Sequence, residues 1–136
     1  MEKNYKLIGK PNWVTIAYEN GTVSCPLNEN DYYMEQSIHL SFKESEKQTD
    51  ILLQSEKVPL LWVKLSWNIK LPTSARFLGD AWERGYGDLE WRAMNANRFM
   101  PWYFLADNND VIFGYGVRFR PSSMCFWQVD SEGITL

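Results

Sequence analysis

A chain of 136 residues with a formal net charge of -3 is sized for one domain, long enough to bury a core without metal or disulfide support. Its mild acidity and lack of a basic run argue against nucleic-acid and anionic-membrane partners. No apolar run approaches the ~18 residues of a spanning helix, and Met1–Lys10 carries no apolar signal core, so a soluble, cytoplasmic chain is expected.

Period-2 alternation dominates, punctuated by turn residues, and predicts strands throughout. After the turn Lys10-Pro11-Asn12, Val14, Ile16 and Tyr18 face one way, Thr15 and Ala17 the other. Asn20-Gly21 is a hairpin signal, because both residues tolerate positive φ, and Thr22–Cys25 is the return strand. Pro26–Asp31 reads as loop. In Met34–Lys43, Ile38, Leu40 and Phe42 oppose His39, Ser41 and Lys43, which leaves His39 on the wet face. Lys43–Gln48 is a charged turn and Thr49–Gln54 a short strand. Val58–Leu71 alternates most clearly: Leu61, Val63, Leu65, Trp67, Ile69 and Leu71 face the core, Trp62 and Lys64 face out. Further strands are expected at Pro101–Ala106, Val111–Phe119 and Met124–Asp130. Ile134 opens one more strand that the chain does not continue, as in a piece of something longer. The expected fold class is all-β, an antiparallel β-sandwich spanning residues 1–136 as a single domain.

Aromatic residues make up 15% of the chain, and seven tryptophans are present. Packing is the first role for such rings, and the remainder are available to line a ligand surface. Cys25 and Cys125 stand too far apart for a metal or redox motif, and His39 completes no zinc set. No metal and no cofactor is expected.

The densest chemistry lies between Asp80 and Arg98. Four carboxylates (Asp80, Glu83, Asp88, Glu90), three arginines (Arg84, Arg92, Arg98), Trp82, Trp91 and Tyr86 fall there with two loop glycines. Gly85-Tyr86-Gly87 lacks the context of a phosphate loop. Two carboxyl groups can serve as the acid and base of a glycosidase. The same four acids also suit a loop neutralised by Arg84 and Arg92 through bidentate pairs, and that is the stronger reading. Carboxylates that accept from hydroxyls, beside rings that stack on C–H faces, also suit a sugar. Trp82, among glycines and charges, is the better ligand candidate, whereas core placement is favoured for Trp91 and Trp102.

The run from Leu78 to Arg92 (Leu-Gly-Asp-Ala-Trp-Glu-Arg-Gly-Tyr-Gly-Asp-Leu-Glu-Trp-Arg), with Met100-Pro-Trp-Tyr-Phe-Leu105 and Cys125-Phe-Trp-Gln-Val-Asp130, resembles the N-terminal region of bacterial alpha-galactosidase-like proteins, glycoside hydrolase family 36 and its near relatives. The resemblance covers residues 76–130. It implies a supersandwich of the galactose-mutarotase-like type, which a catalytic (β/α) barrel follows. The family's catalytic aspartates belong to that barrel, so none is carried over and no residue here is assigned as catalytic. The implied role is an accessory domain that supports the barrel, or a neighbouring subunit, and shapes the mouth of a galactoside site. Loop chemistry nominates Asp80, Trp82, Glu83 and Arg84 as the sugar-contacting residues, and Trp62 and Ile112 as an exposed docking patch. A stand-alone carbohydrate-binding module and a purely structural interaction domain are the alternatives.

Overall fold

The computed structural model describes residues 9–79, 90–109, 111–118 and 123–136. The strands pair antiparallel, and no α-helix and no closed barrel occur among the described residues. The fold class is therefore the all-β, sandwich-type architecture that the alternation implies. Two compact units follow one another, Met1–Trp67 and Asn68–Leu136.

In the first unit, strand β1 (Trp13–Tyr18) pairs with β2 (Gly21–Pro26) on one side and with β6 (Leu60–Trp67) on the other. The closing pair of the first hairpin is Tyr18↔Gly21. Glu19 and Asn20 therefore form the corner, and neither adopts positive φ. The turn lies one residue earlier than Asn20-Gly21 suggests, and it does not use the conformational freedom of that pair. Alternation then decides burial: Val14 and Ile16 are fully buried, with Leu65 and Trp67 nearly so. The Trp67 indole Nε1–H donates to the Gly9 carbonyl at 2.8 Å, which satisfies its polar atom inside the core.

A second sheet runs β3–β4–β5 (Asp31–Met34, Ile38–Glu44, Thr49–Ser55). Ile38, Leu40 and Phe42 are its buried residues. The stretch expected as one strand from Met34 is broken by the short 3-10 turn Glu35–Ser37, where Gln36 and Ser37 adopt positive φ of 63 and 55°. No glycine marks this turn, and β3 falls between the expected loop Pro26–Asp31 and the strand expected from Met34. His39 is not simply solvated. It stacks flat on its cross-strand partner Tyr33, centroids 4.3 Å apart, and its Nε2 lies 3.1 Å from Asp31 Oδ1.

Leu61 departs from expectation. It is 64% exposed, and the register slips between Ala17 and Tyr18, which face Trp62 and Leu60. The extra residue is a β-bulge, and a bulge interrupts side-chain alternation. Leu61 and Trp62 thus both reach solvent. The strand ends at Trp67 rather than Leu71.

The second unit holds a four-stranded sheet in the order β11-β10-β7-β8: Ile112–Gly116, Tyr103–Asp107, Arg76–Gly79 and Arg92–Ala93. Separately, β12 (Phe126–Val129) pairs with β9 (Met100–Pro101) on one side and β13 (Ile134–Thr135) on the other. Phe104 is fully buried at the centre. Around it lie Phe77, Tyr115 and Trp127, at ring-centroid distances of 6.3, 5.6 and 5.5 Å. Burying one such ring is worth about 1.5–3 kcal/mol. The strand expected at Pro101–Ala106 is split at Trp102, whose φ is 65°. At Gly114 the neighbouring strand packs closely: a Cβ there would collide with the Leu105 side chain.

Candidate functional site

Asp80, Trp82, Glu83 and Arg84 lie outside the described residues, as do Asp88 and Tyr86. Their frame is described. Strand β7 ends at Gly79, and β8 begins at Arg92 beside it, with Phe77 opposite Arg92 and Arg76 opposite Ala93. The chain thus leaves one strand and returns on its neighbour, at the edge of the four-stranded sheet.

On the return side Glu90, Trp91 and Arg92 are all exposed. Trp91 is 37% exposed, so it departs from the core placement favoured for it. Arg92 Nε lies 4.0 Å from Glu90 Oε2, with both side chains about half in solvent or more. This is the one ion pair between the expected acids and arginines that the described residues contain, and an exposed pair of this kind contributes little. Arg98 behaves differently. Its Nη1 donates to the Phe77 carbonyl at 2.8 Å, across from the Arg92 position. Burial lowers the affinity of Arg98 for its proton, and the like charge of Arg92 adds to the effect. Arg98 stays cationic at neutral pH, because arginine starts so far above it. Two guanidinium groups are therefore held near one another at the sheet edge.

Beside Arg98, Phe99 is 47% exposed and packs edge-on against Phe126, itself 37% exposed, with centroids 5.0 Å apart and planes at 87°. The contact follows from register, since Phe126 pairs with Pro101 and Trp127 with Met100. Met100 is buried against Gly79: a Cβ at Gly79 would stand 2.5 Å from Met100 Cγ. That close fit joins the end of β7 to β9. Phe99 and Phe126 were not singled out in the sequence, although alternation with buried Met100 and Trp127 places both outward.

The surface thus combines a carboxylate, two guanidinium groups and three exposed rings in one unit. It can accept and donate hydrogen bonds and offer stacking faces. Among the described residues no group of three or more His, Cys, Asp and Glu is placed to hold a metal ion. No described helix is long and apolar enough to cross a membrane. Cys25 and Cys125 are free and half-buried. No family model, no curated protein and no solved structure matches the chain.

Proposed function

We propose that this chain is a non-catalytic β-sandwich domain of an alpha-galactosidase-type glycoside hydrolase, one that supports a catalytic barrel and helps shape its sugar-binding mouth. The observation that carries the proposal is the exposed Trp91, Phe99 and Phe126 rings beside Arg92, Arg98 and Glu90. Arg92, with Trp91 before it, opens the strand that pairs with β7, and Asp80–Arg84 lie between the two strands in sequence. Aromatic faces take the C–H side of a pyranose, while charged groups exchange strong hydrogen bonds with its hydroxyls. In this role Asp80, Trp82, Glu83 and Arg84 contact the galactoside from the connecting segment. Ile112, 61% exposed, supplies apolar surface for a barrel or a neighbouring subunit.

The test has two arms. The purified chain should release no chromophore from an aryl alpha-galactoside, and the reading frame beyond Leu136 should encode a (β/α) barrel. Hydrolysis by the chain alone overturns the proposal, and so does a frame that ends without a barrel. The exposed Phe99–Phe126 pair favours a second reading, a self-sufficient carbohydrate-binding module. It requires heat on titration of the chain alone with galactose, melibiose or raffinose, and loss of that heat in Trp82→Ala. No heat with any of the three sugars sinks it and leaves the accessory domain standing.

A further inference from the structure

The first unit carries another surface, independent of the one above. The registers of β1 with β2 and β6 lay out their outer face in three cross-strand rows: Pro26–Trp13–Ser66, Ser24–Thr15–Lys64 and Thr22–Ala17–Trp62. Two tryptophans stand in the outer rows, Trp13 at 43% and Trp62 at 51% exposure. Trp62 faces outward in register with Lys64 and Ser66.

Trp13 is held in place. Its Nε1–H donates to Ser24 Oγ at 2.6 Å, and Ser24 Oγ donates in turn to the Val14 carbonyl at 3.2 Å. A serine has one proton, so Thr15, 3.0 Å away, donates to the same oxygen. The indole is thus tied by its edge to the neighbouring strand.

The chemistry between the rings selects the occupant. Hydroxyls and an ammonium group interrupt the aromatic surface. An apolar protein partner would strip water from them without replacing its hydrogen bonds, which is costly. One cation, Lys64, is too few to follow a phosphate backbone, and no carboxylate occupies the three rows to repel an acidic sugar. A rise of roughly 3.3 Å per residue and a strand spacing of about 4.8 Å put the Trp13 and Trp62 Cα atoms on the order of 14 Å apart. A single sugar ring does not bridge that distance.

We propose that this face binds an extended polysaccharide chain. Trp13 and Trp62 stack on separate sugar units, Thr15 and Lys64 hydrogen-bond the units between, and Ser66 bonds the unit at Trp13. Affinity electrophoresis tests this, in gels cast with a soluble β-glucan, a galactomannan or polygalacturonate. The last of these reads whether Lys64 selects acidic units. At least one polymer should retard the wild type. Trp13→Ala and Trp62→Ala should each weaken the apparent affinity roughly tenfold, Trp62→Phe should recover part of it, and Trp82→Ala should change nothing. An unretarded wild type in all three gels overturns the proposal, as does retardation that survives the Trp13→Ala/Trp62→Ala double substitution. Thermal melts report folding; should Trp13→Ala not fold, the Trp62→Ala and Trp62→Phe pair decides alone. A null titration with small galactosides leaves this face standing, and an unretarded wild type leaves the galactoside proposal standing.

Discussion

The indole of Trp127 donates its Nε1–H to the carbonyl oxygen of Trp102, 3.1 Å away. The same carbonyl accepts from Val117 N at 2.9 Å, and Trp102 N donates to Cys125 O at 3.1 Å. These bonds hold Trp102 at φ 65°, a backbone region in which a bulky side chain is strained. Glycine pays no such penalty. Trp102→Gly should therefore unfold at higher urea concentration than Trp102→Ala, with a difference of about 1–2 kcal/mol. Equal midpoints, or Ala the more stable, would show that the positive φ carries no strain.

Arg98 and Arg92 should separate in stability although they are neighbours. Arg98 makes a charge-assisted bond to the Phe77 carbonyl, at 2.8 Å and partly buried. Its loss in Arg98→Ala should cost about 1.5–3 kcal/mol. Arg92 faces water and meets Glu90 only at 4.0 Å, so Arg92→Ala should cost less than about 0.5 kcal/mol. Denaturant melts of the two variants side by side measure the contrast. Equal losses would mean that Arg92, not the Phe77 carbonyl contact, organises this edge.

Strand identity was legible in the sequence wherever one face is buried and the other wet. Ile38, Leu40 and Phe42 declare β4 by alternation alone, and Val14 and Ile16 declare β1. What escaped were positions where backbone conformation overrides residue type. Gln36, Ser37 and Trp102 take positive φ without being glycine, so the breaks they make carry no sequence mark. Leu61 reads as a core residue until a bulge turns it out. The sugar-contact candidates Asp80, Trp82, Glu83 and Arg84 were chosen by composition, and they lie outside the described residues. Their flanks show why composition alone is a weak guide to pairing: Arg98, grouped with the acids by sequence, is spent on a main-chain carbonyl. The Trp13 face was partly within reach. Period 2 puts Trp13 on the side of Thr15 and Ala17, but a turn at Asn20-Gly21 sets Pro26 opposite Thr15, so Ser24 enters only with the observed register.

Gly79 should tolerate no side chain. A Cβ there would meet Met100 Cγ at 2.5 Å and Met100 Cβ at 2.8 Å. The second atom is fixed to the backbone and cannot swing away. Gly79→Ala should cost about 1–3 kcal/mol through overpacking. Removing the obstacle should relieve part of that cost, so Gly79→Ala/Met100→Ala should be less destabilised than the sum of the single variants. Strict additivity in urea melts would mean that the two residues do not share this space.

Cys25 gives the chain a distinct alkaline signature. It is half-buried on β2, opposite Val14, and burial raises its pKa above the ordinary thiol value. Burial acts in this direction because the thiolate loses hydration that the thiol does not need. A group whose folded pKa is raised contributes stability that is complete below the unfolded pKa and is lost as pH rises through the folded one. The loss therefore begins at the ordinary thiol pKa, where the unfolded chain ionises, and runs up through the raised folded value, with no counterpart near neutrality. In a Cys125→Ser background, alkylation of Cys25 by iodoacetamide should rise with pH later than that of a free thiol. Cys25→Ser should flatten the alkaline limb of the stability profile. An alkylation curve that coincides with that of free cysteine would place the Cys25 thiolate in water and remove the burial effect.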